Sequence, residues 1–425
     1  MDQTVDKSYL VPETIMDGYD NVLDLLEARG YLAQCNDKDG LREYLSVKGR
    51  KFYIGFDPTA SSLHVGHFMQ MMIMAHMQSA GHIPLSVIGG ATARVGDPSG
   101  RTDMRPMMSD ETIDSHKEKF KEQLGIIVNF EQDGAKILNN LDWIGSITYL
   151  DFIRNVGKHF SVNHMLAAHC YKSRLETGLT FLEFSYMLLQ AYDFLHLFNE
   201  HDCRIEFGGD DQWSNILAGA DLIRREKQEQ AYAATFTLLT NSDGVKMGKT
   251  VGGAIWLDKE KTSVFDFFQY WRNIEDCKVL EVMRLMTFTP LEEIKSYEKL
   301  EGAELNPIKK LLAWRITALI HGKEAADEAL KQAEDLFGGK GKSDNMQTFV
   351  LNKNDLASLK VLDFIALNKI LPSKGEARRM LQQNGIYLND QAISDIDRVF
   401  VMEDFDNNEC ILRRGKKNYY KIVIE

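Results

Sequence analysis

A chain of 425 residues, 44% hydrophobic and 26% charged, has material for two to four domains with packed cores. Its net charge of −12 excludes a uniformly basic, histone-like binder of nucleic acid, while leaving room for a local basic patch. Five scattered cysteines (Cys35, Cys170, Cys203, Cys277 and Cys410) with no CxxC exclude a disulfide framework and a zinc knuckle, and point to a reducing compartment.

The start, Met1-Asp2-Gln3-Thr4-Val5-Asp6, has neither the basic nor the apolar stretch of a signal peptide. No apolar run approaches the roughly 20 residues that span a bilayer, so a cytoplasmic protein without membrane contact is expected. Residues 52–56 read as a buried strand, broken by Asp57-Pro58-Thr59. A helix is predicted over His67–Ala80, ended by Gly81, and a second strand over 83–88. The same rhythm returns as strand Cys203–Phe207, helix Gln212–Arg225 and strand Thr235–Leu239. Strand–helix–strand alternation predicts an α/β fold with a parallel sheet, its two halves separated by a largely helical stretch at about 110–200. Within the first helix, Met69, Met71, Met72, Met74 and Met77 read as core packing rather than a metal site with His76 and His82.

From Thr262 to about Phe337 the pattern is helical, and Gly338-Gly339-Lys340-Gly341-Lys342-Ser343 is the best linker candidate. The tail from Val361 combines a short helix, Lys374–Asn384, with alternating apolar residues up to Ile424, as a small α+β module would. The expected division is 1–260 catalytic, 261–340 helical, 341–360 linker and 361–425 terminal module.

Two short words stand out. His64-Val65-Gly66-His67 lies where a loop opens into a helix. Such a helix start favours phosphate, and imidazoles there could stabilise charge developing at an attacked phosphorus. Taken alone, the word equally suits two capping or core histidines. Lys246-Met247-Gly248-Lys249-Thr250 puts two cations on a glycine-containing loop, able to close on departing pyrophosphate. Taken alone, it equally suits a solvated basic turn. Together, in this order, they suggest adenylyl transfer.

At this point the chain resembles the class I aminoacyl-tRNA synthetases, with their HIGH and KMSKS signatures, and most closely the bacterial-type tyrosyl-tRNA synthetases. The resemblance runs nearly end to end. It is carried by Tyr53-Ile54-Gly55-Phe56-Asp57-Pro58-Thr59-Ala60, Gly89-Gly90-Ala91-Thr92, Gly96-Asp97-Pro98-Ser99-Gly100, Gly157–Asn163, Ser185–Phe194 and Gly209-Asp210-Asp211-Gln212-Trp213. It implies a Rossmann-like parallel-sheet catalytic domain, a following helical domain and an S4-like RNA-binding domain at the end. The implied activity is a tyrosine–tRNA ligase: L-tyrosine and ATP, the latter with Mg²⁺, give tyrosyl-adenylate, and tRNA(Tyr) takes the tyrosyl group. No protein-bound structural metal is implied, and a homodimer is.

The resemblance also assigns roles. Tyr53 and Asp193 would meet the tyrosine phenol, and Asp97, Tyr186 and Gln190 its ammonium. Thr59 and His64 would meet the γ-phosphate, and Gly55, Asp57, His67, Asp211 and Gln212 would contact substrate or ATP. Arg101, Arg105, Lys246 and Lys249 would act near the pyrophosphate. The chain departs from the family pattern at Val65, at Ile54 (often cysteine), at Asp210 (often serine) and at Gly248 (serine in KMSKS), which should loosen its loop.

Physically, Tyr186, Gln190 and Asp193 fall on one helix face at spacings of four and three. That face is either a solvated side or the wall of a cleft. A carboxylate, an amide and a phenol suit an amino-acid zwitterion with a polar tail. In the terminal module Lys374, Arg378 and Arg379, with Arg413, Arg414, Lys416 and Lys417 beside Tyr419 and Tyr420, suit phosphates and stacked bases. Three rivals differ in these features. A tryptophanyl enzyme fits the Tyr53/Asp193 pair less well, a small-molecule adenylyltransferase would lack the tail, and a non-catalytic relative would have lost its histidines or lysines.

Overall fold

The computed structural model describes residues 16–99, 108–250, 253–337, 348–353, 356, 358–368, 370–371, 373–389, 391–406, 408–415 and 418–424, without the side chains of Ser173, Lys249, Thr250, Leu336, Phe337 and Asn418. The expectations placed on Arg101, Arg105, Lys416, Lys417 and the linker at 338–343 lie outside the described residues. The chain divides into two compact units, Met1–Leu330 and Lys331–Glu425.

The first unit is built on a six-stranded sheet: β1 (Leu32–Cys35), β2 (Lys51–Phe56), β3 (Ile83–Ile88), β4 (Lys136–Asn139), β5 (Cys203–Gly209) and β6 (Tyr232–Phe236). The order is β1-β6-β5-β2-β3-β4, parallel except for the β1/β6 pair. β2 and β3 are short, mostly apolar runs and, like β5, are largely buried on both faces, as central parallel strands must be. The two predicted halves meet at the β2/β5 pair. There the strand order reverses, which in open parallel sheets is where ligands bind, beyond the carboxyl ends of the strands.

Helix Val65–Ser79 follows β2, and its Met69, Met71, Met72, Met74 and Met77 are all core residues. His76 is buried among the rings of Tyr31 and Phe288, and burial holds its pKa well below the usual histidine value. It packs as a neutral ring.

Three details differ from the sequence reading. β6 begins three residues earlier than predicted, because Tyr232, Ala233 and Ala234 are the residues buried against β5. The helical stretch at 110–200 contains β4, four residues too short to reveal a period. β1 was not read as a strand at all, and it borrows its order from β6. Helices Asp110–Leu124, Tyr149–Asn155, His169–Thr177 and Tyr186–His201 account for most of that stretch.

Beyond the sheet come a hairpin, β7 (Lys249–Thr250) with β8 (Gly253–Ala254), and helices Val264–Arg272, Val279–Met286, Leu291–Ser296, Leu305–His321 and Lys323–Phe337. Arg29, buried at the end of helix Val22–Arg29, donates to the carbonyls of Arg284, Thr287 and Thr289 and fastens this helical part to the sheet.

The second unit holds a five-stranded sheet: β9 (Thr348–Leu351), β10 (Ile386–Leu388), β11 (Gln391–Ile393), β12 (Glu409–Arg414) and β13 (Asn418–Ile424), in the order β11-β10-β12-β13-β9. Helices Val361–Leu367 and Lys374–Gln382 supply Leu362, Phe364, Ile365 and Leu381 to a core shared with Ile386, Leu412 and Ile422.

Candidate active site

Helix Tyr186–His201 packs on helix Trp213–Lys227 and on β5. Its Tyr186 and Asp193 are only 6% and 4% exposed, so the polar face lines the interior instead of meeting water. The Asp193 carboxylate accepts from Trp143 Nε1 at 2.7 Å and from Asn140 Nδ2 at 3.0 Å. Burial pushes its pKa up to about 7 against the pull of those two donors. Tyr53, on β2, packs its ring on Phe194 at 5.5 Å. The Tyr53 hydroxyl is buried against the Glu206 carboxylate without reaching full hydrogen-bond geometry, and burial with the charges of Glu206 and, after it, Asp193 raises its pKa. Tyr53 and Asp193 therefore do not satisfy each other, and a buried hydroxyl beside a buried carboxylate calls for a polar guest.

A chain of hydrogen bonds ties this pocket to the end of β2. Asn140 Nδ2 donates to Thr92 Oγ1 at 3.0 Å, and Thr92 Oγ1 donates to Asp57 Oδ1 at 2.6 Å. The other Asp57 oxygen accepts from the Tyr186 hydroxyl at 2.8 Å. Gly89 makes the junction possible: a Cβ there would lie 1.9 Å from Asp57 Oδ1 and 2.3 Å from Thr92 Oγ1. Nearby, Asp97 accepts from the Ser99 N–H at 2.9 Å and from Gln212 Nε2 at 2.6 Å, and burial raises its pKa despite them. Gln190 donates through Nε2 to Glu206 Oε1 at 2.9 Å. Ile54, on the same strand as Tyr53, is 1% exposed and belongs to the core.

The first signature word forms a helix cap. His64 Nδ1 accepts from the Gly66 N–H at 3.0 Å, and His67 Nδ1 accepts from the His64 N–H at 3.2 Å. The rings stack with centroids 4.0 Å apart. With both Nδ1 atoms acting as acceptors, a neutral ring carries its proton on Nε2, as a donor. Capping and phosphate contact are thus compatible uses of the same two residues.

The second word folds onto the first. The Val65 N–H donates to the Ile255 carbonyl at 3.1 Å, and the Ile255 N–H to the Gly248 carbonyl at 2.8 Å. Gly248 has φ +83°, and a Cβ there would lie 3.0 Å from Val65 Cβ. Its N–H donates to the Tyr270 hydroxyl at 2.7 Å. Gly248 is thus set by backbone shape and close approach, and it is anchored on both sides; slack alone does not describe it. Lys246 pairs with Asp211 at 2.7 Å on the turn that follows β5. The carboxylate of Asp210 is taken by Gln34 Nε2 at 2.7 Å and Thr235 Oγ1 at 2.8 Å. Thr59 is half-buried, its N–H bonded to the Asp57 carbonyl, and Gly55 is exposed with open space around its Cα. Lys249 lies in β7.

In the second unit, Arg378 and Arg379 are exposed on helix Lys374–Gln382, and Lys374 pairs with Asp363 at 2.5 Å. Arg413 lies 3.6 Å over the Tyr387 ring and donates to the Gly415 carbonyl, and Arg414 donates to the Ile370 carbonyl. Those two arginines already have structural work. The sequence reading missed Asn140, Trp143 and Glu206. Only Asn140 left a signal: had β4 been read as a strand, Asn140 would have stood just beyond its carboxyl end, where ligands gather.

Residues 48–338 match the family model of class I tRNA synthetases for tryptophan and tyrosine. Residues 340–422 match that of the tyrosine–tRNA ligase SYY-like C-terminal domain. The tyrosine–tRNA ligase of Clostridium botulinum is 54% identical over 406 residues, covering 95% of this chain and 100% of the relative. That of Acetivibrio thermocellus is 51% identical, covering 95% of this chain and 99% of the relative. A C-terminally truncated mitochondrial tyrosyl-tRNA synthetase from Aspergillus nidulans superposes with a TM-score of 0.66 at 30% identity, over 76% of this chain and 96% of that one. With both parts of the chain matched and relatives aligned along nearly its whole length, the chain belongs to the class I tRNA synthetases of the tryptophan and tyrosine group, on the tyrosine–tRNA ligase branch.

Proposed function

We propose that the pocket between Tyr53 and Asp193 receives the tyrosine phenol, and that the crevice at the two signature words receives ATP. The activity is that of a tyrosine–tRNA ligase. A tyrosine carboxylate oxygen bonds to the α-phosphorus of ATP as the bond to the β-phosphate oxygen breaks and pyrophosphate leaves. The 3′-terminal ribose hydroxyl of tRNA(Tyr) then takes the tyrosyl group from the adenylate, releasing AMP. Catalysis here is positioning and electrostatic stabilisation.

The observation that carries the reading is a buried Tyr53 hydroxyl with no partner at full hydrogen-bond geometry, within electrostatic reach of the buried Asp193 carboxylate. A substrate hydroxyl can accept from one and donate to the other, whereas phenylalanine offers neither group a partner, a discrimination already known for tyrosyl enzymes. Asp97, Tyr186 and Gln190 take the ammonium. A Tyr186 hydroxyl that donates its proton to Asp57 acts toward an ammonium as an acceptor. Thr59 and the Nε2 donors of His64 and His67 meet the phosphates, and Gly55, Asp57, Asp211 and Gln212 hold the rest of the nucleotide. Lys246 exchanges Asp211 for phosphate when ATP enters, joined by Lys249 and Arg105. Mg²⁺ arrives with ATP as part of the substrate. Among the described residues no group of three or more His, Cys, Asp or Glu is arranged to hold a metal ion.

The wider reading is a cytoplasmic homodimer with an S4-like module at 361–425, after a catalytic part at 1–260, helices at 261–340 and a linker at 341–360. Large exposed apolar side chains support the dimer. They include Tyr149 at 66%, Leu150 at 77% and Phe181 at 66%, all within the stretch between β4 and helix Tyr186–His201. Among the described residues no helix is long and apolar enough to cross a membrane. Lys374, Arg378, Arg379, Arg413, Arg414, Lys416 and Lys417 are the proposed tRNA contacts, with exposed Arg378 and Arg379 the foremost. The test is ATP–pyrophosphate exchange with tyrosine, tryptophan or phenylalanine as the amino acid. Exchange with tyrosine alone is expected, and its absence would refute the pocket assignment.

A further inference from the structure

Glu206 is a buried acid with no role in the account above. It is 1% exposed and lies on β5, opposite Tyr53 of β2 in the parallel register. Its Oε1 accepts from Gln190 Nε2 at 2.9 Å, while its Oε2 is buried and meets no partner at full hydrogen-bond geometry, with the Tyr53 hydroxyl as its polar neighbour. Room for that second oxygen is left by Gly219 on helix Trp213–Lys227, where a Cβ would lie 3.3 Å from Oε2 and 2.9 Å from the Phe194 ring. The remaining oxygen of the pair, Gln190 Oε1, is also buried and unpartnered.

A glutamine side chain has two ends of opposite character. Its nitrogen donates and its oxygen accepts, and the ends exchange by a half-turn of the amide. An ammonium group has donors only, so it is served by the oxygen end and repelled by the nitrogen end. Something must choose. A carboxylate accepts and cannot donate, so it takes the Gln190 nitrogen and leaves the oxygen for another donor.

The choice survives protonation of the acid. Burial pushes the Glu206 pKa up to about 8, yet a proton held there sits on Oε2, and Oε1 continues to accept.

We infer that Glu206 is a positioning residue for tyrosine: through Oε1 it holds the Gln190 amide with its oxygen toward the substrate ammonium. This rests on the assignment of Gln190 to the ammonium. Glu206 itself acts through Gln190 and stays out of the chemistry.

The test uses the full chain in tyrosine-dependent ATP–pyrophosphate exchange, with 3-(4-hydroxyphenyl)propanoate as a competitor that has the phenol and lacks the ammonium. Glu206→Met keeps the volume and removes the acceptor. It should raise the tyrosine KM about tenfold, the worth of one misaligned hydrogen bond to a charged group, with kcat changed far less. The inhibition constant of the propanoate and the ATP KM should stay near their original values. Glu206→Gln, which still offers an acceptor, should restore tyrosine KM toward the original. In a Gln190→Ala background, Glu206→Met should add nothing, because the two act as one unit. Equal weakening of tyrosine and propanoate would overturn the inference, placing Glu206 at the phenol end or in general packing. So would additive effects in the double variant, or an unchanged tyrosine KM in Glu206→Met. If Gln190→Ala alone leaves the tyrosine KM unchanged, the ammonium assignment itself fails and takes the inference with it. If Gln190→Ala raises it and Glu206→Met does not, only the inference falls.

Discussion

Asp193 is held between two opposing effects. Burial drives its carboxyl toward the neutral form, and the N–H groups of Asn140 and Trp143 favour the ionised one, leaving the pKa at about 7. A phenol donates its proton to an ionised carboxylate, so bound tyrosine lowers that value further. Affinity must therefore be full above about pH 7 and fall as pH drops through it, by up to about tenfold per unit. We expect kcat/KM for tyrosine in pyrophosphate exchange to follow that curve between pH 5.5 and 9. Trp143→Phe deletes one of the two donors and should move the midpoint upward by about one unit. The displacement identifies Asp193, since Trp143 bonds that carboxylate and neither Glu206 nor Asp97. A midpoint that does not move would assign the titration to another group.

The helix start at His64 poses a different question, because the same ring closes the cap and is proposed to meet the ATP phosphates. Two substitutions separate the uses. His64→Ala loses both, so it should slow adenylate formation about a hundredfold and cost about 1 kcal/mol of stability. His64→Asn offers the Gly66 N–H a side-chain oxygen in place of the ring Nδ1. It should keep the melting temperature near the original while remaining as slow as alanine. The tyrosine KM should barely change in either. Recovery of rate in His64→Asn, measured by single-turnover adenylate formation, would reduce the histidine to a cap.

What the sequence revealed follows the same division between local and distant. β2 and β3 are apolar runs bounded by breakers, and their order is written in adjacent residues. The shared face of Tyr186, Gln190 and Asp193 follows from helical periodicity within one element. β1 is different, since it acquires its form only from a strand far along the chain. Asn140 and Trp143 matter through bonds to Asp193, 53 and 50 positions away. The φ of Gly248 likewise answers to Val65 and Ile255 rather than to its neighbours. Periodicity carries no trace of such contacts.

On the proposed reading, the division into two units gives each part of the reaction its own address. Every residue proposed for tyrosine and ATP lies between Tyr53 and Lys249, inside the first unit. The second has a separate sheet and its own core around Phe364, Leu381 and Leu412. A cut after Phe337 preserves helix Lys323–Phe337 and removes β9 to β13 with both covering helices. The Aspergillus nidulans relative of known structure is likewise C-terminally truncated. Tyrosine-dependent pyrophosphate exchange by the shortened chain should stay within about twofold, since no residue proposed for tyrosine or ATP is lost. Charging of tRNA should fall about a hundredfold or more, because the lost basic residues are the proposed phosphate contacts. Full-length protein carrying both Arg378→Ala and Arg379→Ala should show an intermediate loss, with a shallower salt dependence of the tRNA KM. Its lost cations no longer release counterions, whereas a merely unfolded module would depress charging at every salt concentration. Undiminished charging by the shortened chain would remove the RNA role from the second unit and return it to the surface of the first.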